Sequence, residues 1–222
     1  MKTILTHATE DYLKAIYTIS VDGLSASTNA LAERLKIAPA SVTGMIKRLA
    51  ETSPPLVDYR KHYGVTLTPA GERAALKVIR QHRLLETYLH ESLGFSWDEV
   101  HEEACRMEHV ISDAFSERID AILGHPTHDP HGDPIPDLNL VMPQKASTQL
   151  SALRPPQKAT IQRVDAKDGD LLRFLEEKGL VPGSKLETRA YSPFDGNLTI
   201  LLNEQEMILG PAITRHVFIE EN

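Results

Sequence analysis

The order of apolar and polar positions predicts a helical first half and a β-rich last quarter. Residues 8–20 (ATEDYLKAIYTIS) set Tyr12, Leu13, Ile16, Tyr17 and Ile19 at helical spacing, and Val21-Asp22-Gly23 ends that helix. Ser25-Ala26-Ser27-Thr28 reads as a cap for a short helix over 29–35 with Ala30, Leu31 and Leu35 facing in. After Lys36-Ile37-Ala38, Pro39 opens a third helix. Its buried stripe is Val42, Met45, Ile46 and Leu49, and Ser41, Thr43, Lys47 and Arg48 stay outside. Thr52-Ser53-Pro54-Pro55 breaks the helix, and β-like runs at 56–59 and 65–68 flank a hairpin tip, Arg60-Lys61-His62-Tyr63-Gly64. Thr68-Pro69 caps a long helix that ends near Leu93 before Gly94. Ser96-Trp97-Asp98-Glu99 is a capping box for a helix to about Leu123.

From His125 to Pro143 the chain is rich in Pro, Asp and His, and a polar stretch carries on to Pro155-Pro156. Beyond it the spacing predicts strands at 159–164, 185–191, 198–203 and 217–220 and a helix at 169–178. That pattern suits a small half-open β-barrel of about 60 residues. The fold class is therefore mostly α with a C-terminal β domain.

Composition adds little until it is resolved along the chain. With 41% hydrophobic and 25% charged residues in 222, the protein is an ordinary globular chain and not a disordered one. No apolar run is long enough to cross a bilayer, and MKTILTHATEDYL lacks the apolar core of a secretory leader. The single cysteine, Cys105, excludes an internal disulfide and suits a reducing compartment, so a cytoplasmic location is expected. The net charge of −7 argues against a nucleic-acid partner only as an average. Residues 34–62 carry six basic groups against Glu51 and Asp58, whereas residues 73–222 carry sixteen basic against twenty-four acidic. Phosphate responds to the local field, which here is positive.

Two short helices, a tight turn and a basic-tipped hairpin make a winged helix-turn-helix. Small and polar residues on the outer face of the second helix let it enter a major groove. Ala40, Ser41, Thr43 and Gly44 are of that kind, with Pro39 at the start and Ser27 and Thr28 at the head of the preceding helix. Lys47, Arg48, Arg60 and Lys61 suit phosphates, which fix register without reading sequence. No Asn, Gln or Arg stands early on the reading helix, so methyl and hydroxyl contacts and DNA shape carry the readout.

A second constellation is chemical. On one predicted helix, His101, Cys105, Glu108 and His109 fall within an arc of about 100°. Cys105, Glu108 and His109 at i, i+3 and i+4 converge on one ion. His82 and Glu86 form an i, i+4 pair on the long helix, and Asp11 lies on the first. Core packing would place Leu, Ile or Val along such a stripe. Carboxylate, imidazole and one sulfur favour Mn2+ or Fe2+ over Ca2+ or Mg2+, with Zn2+, Co2+, Ni2+ or Cd2+ able to substitute in vitro. His125, His128 and His131 read as part of a rigid Pro-rich turn. Two other readings are a redox sensor acting through Cys105 and a metallohydrolase. The acidic neighbours Glu102 and Glu108 disfavour a reactive thiol, and no catalytic motif is present.

These residues together resemble the metal-dependent repressors of the diphtheria toxin repressor and manganese transport regulator family. The resemblance rests on Thr9-Glu10-Asp11-Tyr12-Leu13, PASVTGMIKRL from Pro39, LVDYRKHYGVTLTPAG from Leu56, His82-Arg83-Leu84-Leu85-Glu86, HEEACRMEH from His101, and His131-Gly132-Asp133-Pro134-Ile135-Pro136. It implies a homodimer on double-stranded operator DNA, with neither a membrane partner nor a small-molecule substrate. It implies four segments: 1–72 winged helix, 73–140 helical metal-binding and dimerisation domain, 141–157 linker, and 158–222 an SH3-like (FeoA-like) barrel. It also implies a primary metal site at Asp11, Cys105, Glu108 and His109 and an ancillary one at His82, Glu86 and His101. In some members the SH3-like domain completes the ancillary site. Asp165 and Asp168 have a similar spacing, too loose to be counted. Iron-type members carry methionine at the Asp11 position. Manganese-type members carry glutamate at the positions of Lys14 and Cys105, so the donor set is a hybrid.

Overall fold

The computed structural model describes residues 5–20, 24–165 and 168–221, and the chain divides into two compact units. The first comprises Met1–His82, Glu108–Ile111 and Pro136–Met142; the second comprises Arg83–Met107, Ser112–Ile135 and Pro143–Asn222.

In the first unit, α1 (His7–Ile19), α2 (Thr28–Leu35) and α3 (Pro39–Ala50) precede a hairpin of β1 (Val57–Arg60) and β2 (Gly64–Leu67). The local chemistry explains the boundaries. The Thr6 hydroxyl accepts from Thr9 N–H and the Ser27 hydroxyl from Ala30 N–H, so α1 and α2 each begin on a capped turn. The expected stop of α1 at Val21-Asp22-Gly23 lies outside the described residues. Lys36 adopts a left-handed backbone (φ 55°) that closes α2 and turns the chain into Pro39. Leu13, Ile16, Leu31, Val42, Ile46, Leu49, Val57 and Val65 form the core. Met45, expected inside, is only half-buried. The loop before α2 straps the wing. Ala26 pairs with Val65, and the Ser25 hydroxyl donates to the Tyr63 carbonyl. Gly71, in the first turn of α4 (Pro69–Leu93), lies so close to the Leu56 carbonyl that a Cβ would run into it.

The second unit holds the rest of α4 from Arg83, then α5 (Trp97–Met107), α6 (Asp113–Ile122) and the C-terminal sheet. The helix expected to run on to Leu123 breaks after Met107, because Ser112 caps α6 with its hydroxyl accepting from Phe115 N–H. The sheet is antiparallel, in the order β6-β5-β4-β3-β7. Its strands are β3 (Lys158–Val164), β4 (Lys185–Tyr191), β5 (Leu198–Leu202), β6 (Gln205–Leu209) and β7 (Val217–Glu221), with α7 (Gly169–Glu177) and a short α8 (Pro211–Thr214). The pattern missed β6. Asn203 and Glu204 both take positive φ in the two-residue turn before it, a turn usually marked by glycine. The expected linker is also too long. Leu150 and Leu153 are fully buried in the barrel core, and Ile219 N–H donates to the Thr148 carbonyl.

One residue of α5 belongs to that same core. Trp97, 3% exposed, packs among Leu150, Leu153, Leu172 and Leu175. Around it, Arg173 of α7 pairs with Asp98, and His131 Nε2 lies 3.2 Å from the Trp97 carbonyl. Val164 N–H donates to the His131 carbonyl at 2.8 Å. Gly132 (φ 85°) passes under the Gln162 carbonyl, where a Cβ has no room.

Candidate metal centre and DNA-reading face

Two clusters of metal-ligating groups stand out, one in each unit. In the first, ligand atoms of Asp11, Glu108 and His109 lie within 4.8 Å of one another. Asp11 projects from α1, whose opposite side (Leu13, Ile16) is locked in the core. Glu108 and His109 stand in the turn after α5, not on it, so the expected single stripe from His101 to His109 ends at Met107. His109 Nε2 is 2.9 Å from Asp11 Oδ1 and 3.3 Å from Glu108 Oε1, and its Nδ1 is 2.7 Å from Glu10 Oε2. The His7 ring stacks on His109 at 5.0 Å. The other oxygen of Glu108 takes Lys14 Nζ at 2.6 Å and His82 Nδ1 at 2.5 Å. Burial pushes the Glu108 carboxyl up, but His82 and Lys14 outweigh it and hold the group below the usual glutamate range. His82, grouped with Glu86 and His101 by the resemblance, thus turns its Nδ1 to Glu108.

In the second unit, Glu86, Asp129 and His131 bring ligand atoms within 4.8 Å of one another. Asp129 accepts from the His131 and Asp133 N–H groups, both at 2.9 Å. Its carboxyl is raised well above the usual range, by burial first and then by the charges of Glu86 and Asp133, with Arg83 opposing. Glu86 Oε1 also meets His101 Nδ1 at 3.0 Å, and His101 Nε2 lies 3.7 Å from the exposed Cys105 Sγ. Sequence reasoning missed Asp129 and placed His131 in a rigid turn. The usable signal was two donors two residues apart, Asp129-Pro130-His131, ahead of a glycine. The three histidines of that segment go to different partners. His125 pairs with Asp120 at 2.7 Å and His128 lies 3.0 Å from the Thr127 hydroxyl, while His131 joins Asp129. Among the described residues, neither Asp165 nor Asp168 joins a ligand cluster. Asp165 lies 3.3 Å from Arg163, and Asp168 caps α7 by accepting from Asp170 N–H.

Both donor sets fit a divalent first-row ion. They offer hard carboxylate oxygens and an imidazole nitrogen, as such ions prefer. At Asp129, burial and the nearby charges of Glu86 and Asp133 work against the ionised carboxylate, which a bound dication would favour.

On α3, Pro39, Ala40, Ser41, Gly44 and Lys47 are exposed opposite the buried Val42, Ile46 and Leu49, while Thr43 is half-buried with its hydroxyl donating to the Pro39 carbonyl. Ser27 is exposed but spends its hydroxyl on the α2 cap, and Thr28 is half-buried. Arg60 and Lys61 are exposed at the wing tip.

A winged helix joined to a carboxylate–imidazole centre defines a class: metal-dependent DNA-binding repressors. The comparisons with known proteins are narrower. Residues 4–65 match the N-terminal DNA-binding domain of iron-dependent repressors, 68–137 their metal-binding and dimerisation domain, and 148–221 the FeoA domain. The iron-dependent repressor IdeR of Mycobacterium leprae is 32% identical over 96% of both chains, and the diphtheria toxin repressor of Corynebacterium diphtheriae 28% over 98% of both. A manganese-dependent transcriptional repressor solved with manganese is 38% identical, with a TM-score of 0.87 over 96% of this chain and 100% of that one. ScaR with bound Zn2+ is 31% identical, with a TM-score of 0.76 over 96% of this chain and 99% of that one. The chain belongs to the iron-dependent repressor family. It is a metal-dependent transcriptional repressor and not an enzyme, which sets aside the hydrolase and thiol-sensor readings.

Proposed function

We propose that Asp11, Glu108 and His109 hold the Mn2+ or Fe2+ ion that switches this repressor on, and that Glu86, Asp129 and His131 hold a second ion. The resemblance adds the Cys105 thiol to the first set. The observation that carries the reading is the meeting of Asp11 with Glu108 and His109 from opposite ends of the first 110 residues. When bound, the ion supplies two positive charges among these carboxylates. Asp11 is fixed to the DNA-reading head through α1, so sharing an ion with Glu108 and His109 fixes the head against the turn that carries them. The metal thereby selects one arrangement of the head, and DNA and metal favour each other's binding.

At the DNA, Pro39, Ala40, Ser41 and Thr43 face the groove, with Ser27 and Thr28 at the neighbouring backbone. Lys47, Arg60 and Lys61 meet phosphates. The exposed Phe115 and Ile122 of α6 serve the second copy of the homodimer. No helix among the described residues is long and apolar enough to cross a membrane. We place the protein in the cytoplasm, where its operator is.

Asp11→Ala and Glu108→Ala test the site. Each is expected to keep its circular-dichroism spectrum and to lose Mn2+-stimulated binding to an operator duplex selected from a random pool. Normal metal-stimulated binding by either variant would remove these residues from the site.

A further inference from the structure

An imidazole that binds a metal offers one nitrogen lone pair and keeps its proton on the other nitrogen. Which nitrogen does which is set by the partner of the N–H. His109 is held at both edges of its ring. Nε2 faces Asp11 Oδ1 (2.9 Å) and Glu108 Oε1 (3.3 Å), the two oxygens of the cluster. Nδ1 faces Glu10 Oε2 at 2.7 Å, on the far edge. Glu10 and Asp11 are neighbours on the first turns of α1 and reach opposite sides of the same ring. His7, one turn before Glu10, stacks on the ring face with its plane within 17° of His109.

We propose that Glu10 is a positioning residue of the metal centre: it accepts the His109 Nδ1–H and so keeps the Nε2 lone pair turned toward Asp11 and Glu108. The proposal rests on Asp11, Glu108 and His109 being the ligands. Without Glu10, the single N–H of the ring would move to Nε2 and donate to the carboxylates that remain, Asp11 and Glu108, and the nitrogen beside the cluster would be blocked. A carboxylate behind a ligating histidine also raises its basicity, and removal of such a partner typically costs about 10- to 100-fold in metal affinity. His7 fixes the ring plane that makes the arrangement possible.

A long-range proton–nitrogen NMR correlation on metal-free protein with 15N-labelled histidine reads the tautomer directly, above the pH range in which imidazole titrates. The wild type is expected to show His109 as the Nδ1–H form and Glu10→Ala to switch it to Nε2–H. In Mn2+ titrations Glu10→Ala is expected to bind about 10- to 100-fold more weakly, and Glu10→Gln, whose amide oxygen still accepts from Nδ1–H, to recover most of that loss. An Nε2–H form in the wild type, or unchanged tautomer and Mn2+ affinity in Glu10→Ala, would overturn the proposal. The ligand assignment is tested separately by Asp11→Ala and Glu108→Ala. If both bind Mn2+ normally, the site fails and this role with it; if both are weakened and Glu10→Ala is not, only the role of Glu10 fails.

Discussion

The two oxygens of Glu108 face different partners: Oε1 turns to His109, Oε2 to Lys14 and His82. Lys14 and His82 thereby hold a side chain only 2% exposed in its ionised form, two donors replacing the water it has lost. Asp129 is the opposite case. Its folded pKa lies well above the ordinary value, so between about pH 4 and that raised value the folded chain binds more protons than the unfolded one. Stability due to this group is full below that window and is lost as pH rises through it. Asp129→Asn keeps the oxygen that accepts from His131 and Asp133 N–H but removes the charge. Metal-free Asp129→Asn is expected to melt at a higher temperature than wild type at neutral pH, with a flatter rise on acidification. Thermal melts from pH 4 to 8 check this, and an equal slope in the two proteins would contradict it. Of the residues proposed for the metal sites, Asp11, Glu108, His109 and Glu86 were singled out from residue type and spacing. Asp129 and the supporting Glu10 were not, because a carboxylate gains meaning only from what the fold brings beside it.

Helix α3 presents to solvent the face opposite Val42, Ile46 and Leu49, with Gly44 at its middle. A Cβ at Gly44 would meet nothing within 4 Å, so the protein itself gives no reason for a glycine there. Glycine inside a helix costs about 0.5–1 kcal/mol relative to alanine. Gly44→Ala is therefore expected to raise the melting temperature by about 1–4 °C. If DNA approaches the helix closely at this point, the same change weakens operator binding by about tenfold, or 1.4 kcal/mol. A stabilised variant with unchanged affinity would place Gly44 outside the contact. The elements were largely readable from the chain, because start signals and apolar spacing agree at Ser27, Pro39 and Pro69. Two errors have local causes. Ser112-Asp113 is a helix start inside an otherwise continuous helical pattern. The β5–β6 turn is built from Asn203 and Glu204 with no glycine to announce it.

At the scale of the molecule, charge and packing divide the labour. The basic groups gather between residues 34 and 62, on the DNA-reading head, and acidic residues prevail beyond it. The C-terminal barrel is more than an appendage of the second unit, because Trp97 of α5 completes its core. Being the one tryptophan of the chain, Trp97 reports that junction in fluorescence. Deleting residues 143–222 is expected to uncover it and shift its emission to the red; unshifted emission would show that the junction does not form. None of this tests the central claim as directly as the affinity of the full-length protein for its selected operator duplex, measured by fluorescence anisotropy with and without Mn2+. Tight binding is expected with the ion, and a loss of at least about tenfold, 1.4 kcal/mol, after chelation. Equal affinity in the two states would contradict that claim.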